Sequence, residues 1–308
     1  MRAFLFPGQG SQAVGMGAAL AAASRAAADV FAEVDEALGQ NLFRLMRDGP
    51  EDELKLTENA QPAIMAHSIA VLGTLGVDVA ASANFVAGHS LGEYSALCAA
   101  GTFDLATTAK LLKLRGQAMQ RAVPVGVGAM AALLGADLEL AQRIADAAAQ
   151  GEVCTVANDN DPTQVVISGH KGAIDRAIEL AKEMGAKRAL PLPVSAPFHC
   201  PLMQPAADAM ADALGAVTLA APAVPLFANV TAQPTNDPDT IRNQLVEQVT
   251  GMVRWRESVA NMFDAGVHDF VELGGKVLGG MVRRITPDAQ VTSVVTIEDI
   301  EALAKEIA

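Results

Sequence analysis

The stretch Asn84-Phe85-Val86-Ala87-Gly88-His89-Ser90-Leu91-Gly92 decides the reading of this 308-residue chain. Residues 84–88 read as a short strand, and a helix is expected to follow at once, from residue 91 to about residue 100. The G-x-S-x-G pattern falls between them. A serine in that context sits on a nucleophile elbow, where small residues at positions 88 and 92 let the chain approach itself. Ser90 is therefore the expected nucleophile, and the Leu91 amide at the helix N-terminus is expected to point at a developing oxyanion. The plainer alternative is a serine that only caps the helix.

Working outward, Arg2-Ala3-Phe4-Leu5-Phe6 reads as a buried strand that stops at Pro7-Gly8-Gln9-Gly10. A glycine-flanked loop after a parallel strand belongs on the same sheet edge as the elbow, so Gln9 is a candidate for the second oxyanion amide. A simple strand–helix turn reads equally from the same residues. The loop lacks the G-x-G-x-x-G spacing, which argues against a dinucleotide site. Residues 12–39 and 60–76 read as helical. Strands alternating with helices imply a parallel sheet covered on both faces.

Residues 126–193 have another rhythm. Strands are expected at 127–134, 153–157, 164–168 and 187–192, with helices at 137–150 and 172–184. Asn158-Asp159-Asn160-Asp161-Pro162 reads as a polar turn. The order β-α-β-β-α-β is the ferredoxin-like pattern. The predicted fold class is α/β, with a parallel-sheet body (1–125 and 195–308, resuming at Ser195) and an inserted ferredoxin-like subdomain (126–194).

The chain is 51% hydrophobic and 19% charged, with a net charge of −13. No run of Lys and Arg appears, which excludes a broad basic face for nucleic acid. Local basic patches at Arg283–Arg284 with Lys276, and at Lys187–Arg188, are candidates for anionic partners or plain solvated charges. Three cysteines, Cys98, Cys154 and Cys200, fit neither a disulfide framework nor a metal knuckle, so no metal is expected and the cytoplasm is the expected compartment. The first residues break too soon for a signal peptide, and no apolar run reaches spanning length, so no membrane partner is expected.

Ser90 needs a base, and the chain has five histidines. His89 should point away from its neighbour, His67 reads as a core residue, His170 falls in a turn, and His268 precedes a strand. His199 is favoured by position, where the chain re-enters the body. Arg115 lies on the apolar stripe of its helix, three and four residues from Leu112 and Leu111. A guanidinium there requires an anion, either a structural Asp or Glu or a substrate carboxylate.

These residues match a pattern. The chain resembles the bacterial malonyl-CoA:acyl carrier protein transacylases of fatty acid synthesis, and is similar to polyketide synthase acyltransferase domains. The resemblance runs from Phe6-Pro-Gly-Gln-Gly-Ser-Gln12 through Gly88-His-Ser-Leu-Gly-Glu-Tyr-Ser95, Arg115-Gly-Gln-Ala-Met-Gln120 and Val125-Gly-Val-Gly-Ala-Met130. It continues through Asn160-Asp-Pro-Thr-Gln-Val-Val-Ile-Ser-Gly-His170 and Pro197-Phe-His199 to Gly274-Gly-Lys-Val-Leu278. It implies a hydrolase-like body with a ferredoxin-like insert. It further implies Ser90 as nucleophile, His199 as base, Arg115 on the malonyl carboxylate, and the amides of Gln9 and Leu91 as the oxyanion hole. Gln248 matches the family glutamine whose backbone carbonyl orients the histidine, leaving no carboxylate in the triad. Phe198 stands where some fatty-acid enzymes carry Ser, as in malonyl-selective polyketide acyltransferases. The implied reaction moves malonyl from malonyl-CoA, a substrate, to the phosphopantetheine thiol of an acyl carrier protein by ping-pong chemistry, without a cofactor. A hydrolase using the same elbow and a non-catalytic acyl-binding subunit are the competing readings.

Overall fold

The structure is a computed structural model that describes residues 1–194 and 196–307. The expected re-entry into the body at Ser195 lies outside the described residues. Ten strands are present among them: β1 (Arg2–Phe6), β2 (Phe85–Gly88), β3 (Gly128–Leu134), β4 (Cys154–Asp161), β5 (Gln164–His170), β6 (Arg188–Pro191), β7 (Leu226–Phe227), β8 (Pro234–Thr235), β9 (Asp269–Leu273) and β10 (Gln290–Val294).

The body is a six-stranded sheet in the order β10-β9-β1-β2-β7-β8. Its neighbours run parallel except β8, which turns back against β7. The central strand β1 is buried from Ala3 to Phe6, as a strand covered on both faces must be. Its register pairs Phe6 with Gly88, so the loops leaving β1 and β2 emerge side by side at the carboxyl edge. That edge is where open α/β sheets place their ligands.

The second sheet has the order β4-β5-β3-β6 and is antiparallel. With helices Leu138–Ala149 and Lys171–Glu183 between its strands, it has the ferredoxin-like arrangement. Alanines on both helices (Ala141, Ala145, Ala173, Ala177) are fully buried against Leu133, Val165 and Ile167, and their small size lets the helices lie close to the sheet.

Three local readings change. Residues 12–39 form two helices, Ala18–Ala23 and Arg25–Leu38, because Ser24 adopts an extended conformation and caps the second through a 3.3 Å bond from the Ala27 N–H. The next long helix begins at Thr57 rather than residue 60. The largest difference is at Asn158-Asp159-Asn160-Asp161, expected as a polar turn, which is instead the buried end of β4. Tertiary partners override the turn propensity. Arg256 Nη2 lies 2.8 Å from Asp159, Arg284 Nη2 lies 2.8 Å from Asp161, and Asn160 is 2.8 Å from His89.

Candidate active site

The elbow is built by close approach. A Cβ on Gly88 would overlap the Gly92 carbonyl, and one on Gly92 would overlap the Phe6 carbonyl oxygen. Ser90 adopts φ 55°, the left-handed region that a non-glycine residue enters only when its surroundings hold it there. Those surroundings include Asn229, whose Oδ1 accepts from the Ser90 N–H at 2.8 Å and whose Nδ2 donates to the Gly88 carbonyl at 2.7 Å. His199 adopts φ 56°, so both members of the central pair carry backbone strain.

Ser90 Oγ lies 2.8 Å from His199 Nε2, and His199 Nδ1 lies 2.8 Å from the Gln248 carbonyl oxygen. A carbonyl only accepts, so Nδ1 carries the proton and the Nε2 lone pair faces the serine. Gln248 falls in the last turn of helix Pro238–Thr250, where carbonyls have no intrahelical donor. Its oxygen is free for the histidine for that reason. No carboxylate bonds to His199 among the described residues. Burial, reinforced by the nearby Arg115 charge, pushes the pKa of His199 down to about 3. The imidazole is therefore neutral at neutral pH.

Arg115 projects from helix Leu105–Ala122, whose start is fixed by Asp104 accepting from the Thr107 N–H. It is 1% exposed, and burial lowers its pKa, although a guanidinium stays charged at neutral pH. It makes no ion pair within 4 Å among the described residues, so the structural Asp or Glu partner is not found. Its partners are neutral: Nη1 donates to Gln61 Oε1 at 2.8 Å, and Nη2 donates to Gln248 Oε1 at 2.7 Å and Ser90 Oγ at 3.1 Å. The Nε–H is buried and unpartnered, and Nη1 has a second hydrogen. The guanidinium thus keeps donor capacity for an anion.

These groups line a cavity of about 410 Å³ with Gln9, Leu91, Met130 and Phe198. Neither the Gln9 nor the Leu91 N–H donates a hydrogen bond among the described residues. The cavity lies at the carboxyl edge of β1 and β2, and Met130 of β3 with Leu192, Pro193 and Val194 forms its opposite wall.

The remaining candidates sit elsewhere. His89 borders the cavity, but its ring bonds to Asn160 and packs near the Trp255 ring rather than facing Ser90 Oγ. His67 is 3.3 Å from the Gly274 carbonyl, His170 accepts from the Val153 N–H, and His268 packs on Phe263. Of the basic patch, Arg284 is committed to Asp161 and Lys276 stands 3.9 Å from Asp299. Cys200 is buried and bonds to the Pro197 carbonyl. No His, Cys, Asp or Glu group arranged for a metal occurs among the described residues. Likewise, no helix there is long and apolar enough to cross a membrane.

Sequence reasoning missed Gln61, Asn229 and Glu93. Glu93 is buried one turn beyond the serine; its carboxylate accepts from Gln248 Nε2 and, at 3.3 Å, from the Asn229 N–H. Burial pushes its pKa up to about 7 against those donors and the Arg115 charge. A charged residue at a first-turn position on an otherwise apolar helix was the available signal.

An elbow serine bonded to a neutral histidine defines a centre for serine acyl transfer, on a hydrolase-like sheet with a ferredoxin-like insert. The chain belongs to the acyl transferase domain family, which it matches over residues 3–278. It is 47% identical over 284 residues to the malonyl CoA-acyl carrier protein transacylase of Escherichia coli (strain K12), covering 92% of each chain. Among solved structures, an acyl-carrier-protein-S-malonyltransferase from Bartonella henselae superimposes with a TM-score of 0.97 at 52% identity, covering 99% of both chains. A malonyl-transacylase solved in complex with a type II PKS acyl-carrier protein superimposes with a TM-score of 0.96 at 41% identity, again covering 99% of both.

Proposed function

We propose that this chain transfers malonyl from malonyl-CoA to the phosphopantetheine thiol of an acyl carrier protein, in fatty acid synthesis, through a malonyl-Ser90 ester. The observation that carries this reading is the buried Arg115, held by neutral acceptors beside Ser90 with donors to spare.

Malonyl enters with its carboxylate on Arg115. Two donors of a guanidinium fork suit the two carboxylate oxygens, and the second Nη1 hydrogen with the Nη2 hydrogen now on Ser90 Oγ supplies such a pair. Substrate binding then releases the serine hydroxyl from Arg115 and leaves it on His199. The hydroxyl proton passes to His199 Nε2 while Oγ attacks the thioester carbon. The Gln9 and Leu91 amides receive the oxyanion. Coenzyme A leaves as its sulfur takes the proton from His199. The carrier's thiol gives His199 a proton and attacks the ester, and Ser90 Oγ recovers that proton as it departs. The malonyl carboxylate also offsets the Arg115 charge that depresses His199, so the base strengthens when the correct substrate is bound.

Nucleophile, base, oxyanion donors and carboxylate clamp are all supplied by the chain, and the reading needs no cofactor. It treats residues 1–125 and 195–308 as the catalytic body and 126–194 as the subdomain that closes the acyl site, working in the cytoplasm. Mixing the protein with malonyl-CoA and no carrier should leave one malonyl group on Ser90, seen by intact-mass and peptide mass spectrometry. Ser90→Ala should carry none. Transfer to carrier with Ser90 never modified would overturn the mechanism, and release of free malonate at the same rate with or without carrier would make the protein a hydrolase.

A further inference from the structure

Arg115, His199 and Ser90 come from three separate segments that meet at Ser90 Oγ. Their relative placement runs through two amides. Gln248 gives its side-chain oxygen to Arg115, its backbone oxygen to His199, and its Nε2 to the Ser90 carbonyl at 3.0 Å. Asn229 holds the Ser90 N–H and the Gly88 carbonyl. Both amides lead to one group, the carboxylate of Glu93. One of its oxygens accepts from Gln248 Nε2 and the other from the Asn229 N–H.

The carboxylate does something a neutral acceptor does less well. An amide side chain has a donor end and an acceptor end of nearly equal shape, and its orientation is set by its neighbours. In its ionised form, which a pKa raised to about 7 keeps populated from neutral pH upward, the carboxylate only accepts, so it draws the Nε2 end of Gln248 to itself. The Oε1 end must then face Arg115, whose hydrogens only donate. A flipped amide would set donor against donor at Arg115 and acceptor against acceptor at Glu93. The arrangement also keeps the negative charge one amide away from the guanidinium. A carboxylate placed directly on Arg115 would occupy the donors that an incoming acyl carboxylate needs.

We propose that Glu93 is a positioning residue that fixes the orientation of the Gln248 amide, and so aims Arg115 at the acyl site while leaving its remaining donors free for the substrate carboxylate. The inference rests on the reading of Arg115 as the malonyl clamp and extends it to the group that holds the clamp.

The test compares kcat and KM for malonyl-CoA and acetyl-CoA in wild type, Glu93→Gln, Glu93→Ala and Arg115→Ala. The malonyl-to-acetyl ratio of kcat/KM does not depend on how much of a preparation is folded, so loss of folded protein cannot mimic the effect. Glu93→Ala should lower that ratio roughly tenfold or more, the low end of what a charge-assisted hydrogen bond contributes, chiefly through a higher KM for malonyl-CoA. Glu93→Gln should restore part of the ratio, because its amide oxygen still accepts from Gln248. Gln248→Ala combined with Glu93→Ala should lower the ratio no further than Gln248→Ala alone, since both act through one chain of contacts. If Arg115→Ala collapses the ratio while Glu93→Ala leaves it at the wild-type value, Glu93 is a structural residue only and the inference is wrong. If Arg115→Ala also leaves the ratio unchanged, the clamp reading itself fails and the inference falls with it.

Discussion

Two regions of this molecule bury charge in opposite ways. Where β4 meets the body helices, Asp159 and Asp161 are buried, and each meets a partly exposed arginine: Arg256, about a third exposed, and Arg284, about half exposed. The pairing there is complete. At the cavity, Arg115 is as deeply buried, yet the nearest groups are two glutamines and the serine, and one N–H has no partner. A buried charge left short of a counter-ion weakens the fold, so it persists where a ligand is to supply the missing ion. The seam ties β4 to helices Trp255–Asp264 and Leu278–Ile285, whereas the cavity keeps a charge whose counter-ion, on the proposed reading, is the substrate carboxylate.

Several measurements would break or sharpen this contrast. The largest effect is expected at the proposed catalytic pair: His199→Ala should slow acylation of Ser90 by roughly two to four orders of magnitude, read by rapid-quench labelling. His89→Ala should show no loss of a base, and equal losses in both would mean the base is misassigned. The depressed pKa gives the pH signature. His199 stays neutral in the fold while the unfolded chain protonates near 6.5, so its contribution to stability is present above that pH and is lost as pH falls toward about 3. Replacing His199 by Gln should flatten that part of a denaturation-versus-pH curve, and an unchanged slope would contradict a buried neutral imidazole.

Next comes the reserved charge. Arg115→Ala should reduce malonyl kcat/KM on the order of a hundredfold relative to acetyl, because acetyl never had a carboxylate to place. Arg115→Lys should recover only part, since an ammonium does not reproduce the fork. Equal losses for both substrates would make Arg115 a structural residue.

The saturated seam should behave in the converse way. Arg284→Ala strands a buried Asp161 and should destabilise the fold by about 2–3 kcal/mol, at or just below the lower end for a broken buried pair because the arginine itself is half exposed. Urea titration measures this. The malonyl-to-acetyl ratio should stay at the wild-type value, and a shift in selectivity would show that the seam and the cavity are not separable.

The smallest effect concerns shape rather than charge. Phe198 lines the cavity beside His199, and Phe198→Ser should raise methylmalonyl transfer relative to malonyl by about 1 kcal/mol in barrier difference, the low end of the worth of one methyl in a pocket. An unchanged ratio would mean the ring does not border the acyl α-carbon.

How far the sequence carries can be judged residue by residue. G-x-S-x-G between a strand and a helix is a local signal, and the elbow at Ser90 was legible because its glycines and serine are contiguous. Arg115 was legible because helical periodicity alone places it on an apolar face. The ferredoxin-like order followed from alternation of strands and helices. Asn158-Asp159-Asn160-Asp161 was misread as a turn because its composition favours turns, and the arginines that make it a strand lie about a hundred residues away. Position favoured His199 only modestly among the five histidines; the match to a known pattern added the rest of the case.

By itself, then, the sequence determined what local rules encode: the order of most strands and helices, where the chain turns sharply on small residues, and which helix face carries an arginine it must bury. Tertiary structure alone decided which groups meet. The Gln248 carbonyl on His199, the Gln61 and Gln248 amides on Arg115, and the Glu93 carboxylate beneath both braces join residues up to 155 positions apart. Such contacts leave no periodic trace in the chain, because a hydrogen bond depends on the distance between two atoms in space and not on the number of residues between them.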